Sequence, residues 1–341
     1  MIVLYVLLAI FIFGFMIFIH ELGHFMFAKI FKVTIKEFSI GMGPKIFSKK
    51  GKDGVAYSLR VLPFGGYVAM VGEDEESEDP NAFSKKKAWK RFIIIAAGAV
   101  MNLLVGIMIM TILTATTPRF GTTIIGEFTE KSISNQHLQV GDEIIKVGNT
   151  KVSTANELSY EIMRKGYKPV SITVLRNGEK VSLENVTFPQ VSSQGVVFGA
   201  MDFKVFGEDR SFATVVKNSF YSCKSTIKMI YDSLFDLLTG RYGIEQVSGP
   251  VGITGAITEA AKTDTYSLFY LIVVISMNLG VFNLLPIPAL DGGSLLLLLV
   301  EIIIRKPIPA KVENIIKAVG FALIMSLAVI IMLKDILFLF K

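Results

Sequence analysis

The chain has 341 residues, 52% of them hydrophobic and 19% charged, with a formal charge of +6 and a mean hydropathy of +0.55. That balance excludes an ordinary soluble domain and gives no sign of nucleic-acid binding; it indicates a membrane protein with basic loops. A single cysteine, Cys223, excludes an internal disulfide and a cysteine metal cluster, so a transition-metal site must draw on carboxylates and three histidines, His20, His24 and His137.

The first apolar run, 1–31, exceeds the ~20 residues a bilayer span needs. It lacks a basic leader region and a small-residue cleavage site, so it is expected to be a span and not a cleaved signal. Its second half contains "IFIHELGHFM", 17–26. Three ionisable groups within five residues at membrane depth demand a shared partner. On a helix, His20 and His24 lie one turn apart on one face, while Glu21 sits ~100° around from His20. This is the H-E-x-x-H arrangement of zinc hydrolases, with two imidazole ligands and a glutamate general base. A histidine pair can also bind haem or join a proton path, so a second motif has to decide.

The 32–91 segment is basic and ends in "KKKAWKR", 85–91, read as a topology anchor with Trp89 at the headgroups. Within it, "GVAYSLRVLPFGGYVAMVG", 54–72, carries two β-rich runs with Gly65 and Gly66 at an expected hairpin bend. The acidic stretch 73–80 is expected to be solvated. A second span covers 92–117. Short β-rich runs follow, with a helix over 154–166 capped by Thr154 and an Asn-Gly turn at 177–178. Residues 138–163 resemble the core of a PDZ domain, which is assigned to 119–190. The remainder, 191–265, is read as extracytoplasmic, with an amphipathic helix over 211–239 in place of a fifth span.

The third span, 266–304, is interrupted by "NLLPIPALDGG", 283–293, and a fourth covers 315–340. Basic residues at 32–91 and 305–317 put those loops in the cytoplasm, with both termini and 117–265 outside. A catalytic zinc takes three protein ligands plus water. Cys223 and His137 lie in the outward segment, which leaves a carboxylate inside a span, Asp291. Prolines before it and glycines after it break the helix, which is tolerated at membrane depth where it lines a wet cavity. An ordinary helix-capping role for Asp291 is the competing reading. Depth favours the pairing, because His20 and His24 lie ~30 Å along the first span and Asp291 lies 25 residues into a partly unwound one.

These motifs together resemble the site-2 protease family of intramembrane zinc metalloproteases, in its bacterial RseP-like branch. The resemblance rests on His20, Glu21 and His24 in a first span, a PDZ-like domain after the second, and Asn283, Pro286, Pro288 and Asp291-Gly292 in the third. "FSKKKAWKRFIIIAAGAVMN", 83–102, and "SGPVGI", 248–253, add to it. Gly98-Ala99 stands where the family often has Gly-Pro, and there is room for one PDZ domain where longer relatives have two.

The resemblance implies a polytopic α-helical membrane protein with four transmembrane helices, a cytoplasmic-side β-hairpin or re-entrant segment, and one extracytoplasmic PDZ-like α+β domain. It implies one Zn2+ per chain on His20, His24 and Asp291, with Glu21 as base, in a bacterial plasma-membrane protease. The expected partners are the lipid bilayer and single-span membrane substrates, such as anti-sigma factors or remnant signal peptides, and the enzyme is expected to be a monomer. An edge strand near Gly65 and Gly66 could pair with unwound substrate. Asn102 and Asn283 could hold substrate backbone or an oxyanion, or simply bridge helices. The alternatives are a non-catalytic PDZ-containing adaptor with a structural metal, which would not need Glu21, and a transporter, for which no internal repeat is found.

Overall fold

In the computed structural model, which describes residues 2–73, 75, 77–193, 195–306 and 308–339, the first apolar run is one helix, α1 (Ile2–Ile30). Positions 1, 74, 76, 194 and 340, which fall within segments assigned above, lie outside the described residues. Two long strands follow, β1 (Ile35–Lys50) and β2 (Ala56–Met70), then a second long helix, α2 (Ala88–Thr116). Next come β3 (Arg119–Phe128), β4 (Glu143–Val147), β5 (Thr150–Lys151), α3 (Ala155–Lys165), β6 (Val170–Arg176) and β7 (Glu179–Val186). After β8 (Gln190–Ser193), β9 (Val196–Gly199) and β10 (Phe203–Asp209), the chain is helical: α4 (Phe212–Leu238), α5 (Pro250–Thr263), α6 (Thr265–Leu284), α7 (Asp291–Ile304) and α8 (Ala310–Leu339). Among the described residues, four stretches are long and apolar enough to cross a membrane: Val3–Ile30, Ala88–Thr116, Thr265–Leu284 and Lys311–Leu337. The chain divides into two units, one of residues 1–106 with 247–341 and one of 107–246.

In the first unit, α1 and α2 pack closely where Gly23 faces α2; a Cβ there would lie 2.4 Å from the Ala97 carbonyl oxygen. β1 and β2 form a sheet whose turn lies at 51–55, where Gly54 has φ +84 and the Gly51 amide donates to the Val55 carbonyl. The sequence places the bend at Gly65 and Gly66 instead. The difference arises because the two halves of β2 do not pair with each other. Residues 37–40 of β1 pair with 56–59 and also with 66–69, while 47–50 pair with 56–59. Gly65, at φ +87, lies where β2 turns to reach the far side of β1. Among the described residues, 66–70 has ladder partners only in 35–40, which leaves it at the edge of the sheet. Phe38, Val55, Val68, Phe83 and Ile94 form the core beneath this sheet. Glu37 ties it together through Lys45 and Arg60, each at 3.0 Å.

The third apolar stretch breaks where the prolines predict. Leu285 ends α6 in an extended conformation, Ala289 has φ +75, and α7 restarts at Asp291. α5 is not apparent in the sequence. The Gly249 and Gly252 amides at its N-terminus both donate to Asp335 Oδ2 of α8 at 2.9 Å, supplying the anion that a helix start favours.

The second unit holds a sheet in the order β10-β3-β4-β6-β7, with β5 paired to β4. Its core includes Ile125, Leu138, Ile144, Leu158, Ile162, Ile172, Val174 and Phe203. Thr154 caps α3 by accepting from the Glu157 amide at 3.3 Å, and Asn177 and Gly178 take positive φ in the turn joining β6 and β7. β10 pairs with β3, so the sheet runs to 209, well past the expected boundary at 190. α4 starts at a capping box formed by Ser211 and Thr214 and lies against α3 through charges. Arg164 meets Asp232 and Asp236, Lys228 meets Glu161 at 2.7 Å, and Tyr160 donates to Asp232 at 3.0 Å. Burial opposes the charge on Asp232, but Lys228 and Arg164 hold its carboxyl below the usual range.

Candidate active site

α1 presents His20, Glu21 and His24 to the first unit's interior because one helical turn separates the two histidines. The ring centroids of His20 and His24 are 4.8 Å apart and their Nε2 atoms 3.1 Å apart. The first residue of α7, Asp291, brings its Oδ2 to 3.2 Å from His20 Nε2 and 3.4 Å from His24 Nε2. Among the described residues, these three form the one group able to hold a metal ion. His24 Nδ1–H donates to the Ile94 carbonyl of α2 at 2.8 Å. A neutral ring so oriented directs its Nε2 lone pair at the other two groups.

Asp291 is held in place by the glycines after it. A Cβ at Gly292 would lie 2.1 Å from the Leu285 carbonyl oxygen, and one at Gly293 would lie 2.4 Å from that of Ile287. The first turn of α7 can therefore pack directly on the backbone of the break. Gly98 of α2 closes the other side of the histidine pair, where a Cβ would lie 2.4 Å from His24 Nε2. Glu21 reaches toward β2, and a Cβ at Gly66 would lie 3.1 Å from its Cγ.

The donor set fits a zinc ion. A tetrahedral ion with bonds of ~2.0–2.1 Å holds its ligand atoms ~3.3–3.4 Å apart, and the three edges here are 3.1, 3.2 and 3.4 Å. Asp291 Oδ2 is buried without a well-formed hydrogen bond, which suits an atom facing a cation. Glu21 lies outside this triangle but faces the same cavity, of about 950 Å³, whose wall includes His20, His24, Asp291, Tyr67, Val68 and Ile95.

The remaining residues named from the sequence are placed differently. Asn102 is 1% exposed, both polar atoms of its side chain lack a hydrogen-bond partner, and its carbonyl accepts from Ser276 Oγ at 2.8 Å. Asn283 is half-buried in the last turn of α6. Neither residue, nor Gly65 or Gly66, is part of the cavity wall. His137 belongs to the second unit, as expected. The sequence reading gave no role to Gly98 or to the Ile94 carbonyl. The available signal was their four-residue spacing, which puts both on one face of α2.

The sequence profile of peptidase family M50 matches residues 8–327. A protein of Clostridium acetobutylicum, described by inference as a zinc metalloprotease, is 35% identical over 341 residues, covering 98% of this chain and 97% of its own length. A Fusobacterium nucleatum protein of the same description is 36% identical over 346 residues, covering 98% and 99%. The regulator of sigma-W protease RasP of Bacillus subtilis is 29% identical over 418 residues, covering 96% and 97%.

Proposed function

Because the chain belongs to peptidase family M50, the site-2 proteases, we propose that it is a zinc metalloprotease that cuts single-span membrane proteins within the bilayer. The observation that carries this reading is the meeting of His20, His24 and Asp291, with ligand atoms spaced as one metal ion would hold them, beside Glu21, the histidines standing on a helix apolar enough to cross a membrane. His20, His24 and Asp291 hold one zinc ion per chain. The chemistry that ion supplies is Lewis acidity toward water and toward a carbonyl. Glu21 takes a proton from the attacking water and returns it to the departing amide nitrogen, so hydrolysis leaves Glu21 unchanged.

A helical peptide bond is shielded by its own backbone hydrogen bonds, so the substrate must unwind before it is cut. The edge at 66–70, whose ladder partners among the described residues lie in 35–40, borders the cavity, and unwound substrate pairs there by strand addition. Gly65 lets β2 turn into that edge, and Gly66 leaves Glu21 room beside it. Asn102 on α2 and Asn283 on α6 lie outside the cavity wall, so a role for them in holding substrate backbone requires substrate to reach beyond the cavity, and bridging between helices is the competing role. The proposed substrate classes are anti-sigma factors and remnant signal peptides; the first is in keeping with a Bacillus subtilis relative named as a regulator of sigma-W protease.

The enzyme is read as an RseP-like monomer of the bacterial plasma membrane. Both termini face outward, and its single PDZ-like domain is extracytoplasmic. Glu21→Gln tests the reading. It is expected to retain zinc while cleavage of a co-expressed single-span substrate falls by at least ~100-fold; cleavage at the wild-type rate would falsify the assigned base.

A further inference from the structure

The break at 285–290 that releases Asp291 from α6 also releases α7 from the hydrogen-bond ladder of α6. α7 is 14 residues long and starts at a ligand, so its alignment decides where that ligand points. Glycines 292 and 293 seat its first turn. Ten residues on, ~15 Å along the axis, stands Glu301, the one other charged residue in α7. Glu301 Oε1 accepts from Arg91 Nη2 at 2.5 Å, and the two side chains are only 21% and 16% exposed.

Arg91 is in the first turn of α2, and Gly98 is two turns further along the same helix. α2 therefore meets the metal site at Gly98 and meets α7 at Arg91. α7 supplies Asp291 to the site and Glu301 to α2. The two helices make a frame tied at both ends, with Ile95, Leu297 and Leu298 on the cavity wall between the ties. Arg91 and Glu301 themselves line the cavity, but each side chain is mostly buried, so each charge has the other as its close partner and the pair holds the two helices together.

We propose that Arg91 and Glu301 are positioning residues for the metal site, their ion pair fixing α7 against α2 so that Asp291 faces His20 and His24. The proposal rests on the reading of those three residues as zinc ligands. Metal–ligand distances tolerate only ~0.2 Å, so a ligand on a loosely held helix is a weak one.

The test uses full-length, zinc-loaded protein in detergent and measures zinc loss to a chromophoric chelator. Arg91→Met and Glu301→Gln are each expected to weaken zinc binding by ~10-fold or more. The reversed pair, Arg91→Glu with Glu301→Arg, is expected to recover binding to within ~3-fold of wild type, since it restores the same tie. Single variants that hold zinc as tightly as wild type overturn the proposal. So does a reversed pair as weak as the singles, or a loss of thermal stability with unchanged zinc affinity in the folded fraction. Wild-type protein that takes up no zinc overturns the ligand reading itself, which separates the two failures.

Discussion

Gly98 of α2 lies so close to His24 of α1 that a single methyl group would collide with the ring: a Cβ at position 98 would sit 2.4 Å from Nε2. The same position would bring that Cβ within 2.8 Å of His20 Cε1. The candidate metal site is thus bounded by bare backbone on one side. Gly98→Ala is expected to leave the helices intact, because alanine is the better helix former by ~1 kcal/mol. It should nonetheless weaken zinc binding by ~10-fold or more, as displacement of a ligand's support does. Competition titration against a chelator reads this, and an affinity equal to wild type would refute the packing argument.

Glu37 gives the sheet beside the site a pH dependence. Burial opposes its charge, but contacts with Ser58, Lys45, Arg60 and Tyr67 hold its carboxyl down at about 2. A carboxylate depressed on folding contributes stability that is fully present above its unfolded value of ~4.3 and is lost as pH falls through the folded value. Hydrogen exchange at 35–40, corrected for the intrinsic rate, should lose protection from about pH 4 down to pH 2. Glu37→Gln should flatten that loss; a variant with the same pH profile as wild type would exclude Glu37 as its source.

Asp236 of α4 is 4% exposed and receives both Arg164, at 2.9 Å, and Arg241, at 3.4 Å. Its removal takes away the acidic partner of Arg241 and leaves Arg164 of α3 with Asp232. Asp236→Ala is expected to lower the opening free energy of α4, measured by hydrogen exchange, by about 3 kcal/mol. A change under ~0.5 kcal/mol would mean that solvent reaches these charges.

The sequence carries the candidate metal site more fully than it carries the sheet next to it. His20, Glu21 and His24 are legible because a fixed helical spacing encodes their geometry, and Asp291 because prolines and glycines mark a break in an otherwise apolar run. The 35–70 sheet is not legible in the same way. Its 37–40 segment serves two partners, 56–59 and 66–69, and nothing local in either run records that sharing. The polar residues at 48–54 read as basic loop, although Gly54 turns the chain there. α5 escapes notice because its start is capped by Asp335, more than eighty residues away. The sheet beyond 190 is hidden for a related reason, since β10 closes on β3 across the domain.

The most direct test of the central claim is the zinc content of purified full-length protein, measured for wild type, His20→Ala, His24→Ala and Asp291→Ala. One ion per chain in wild type, with each substitution lowering occupancy to a small fraction at the same free zinc, is the predicted result. Retention of one ion per chain after Asp291→Ala would contradict it, because the third ligand would then lie elsewhere.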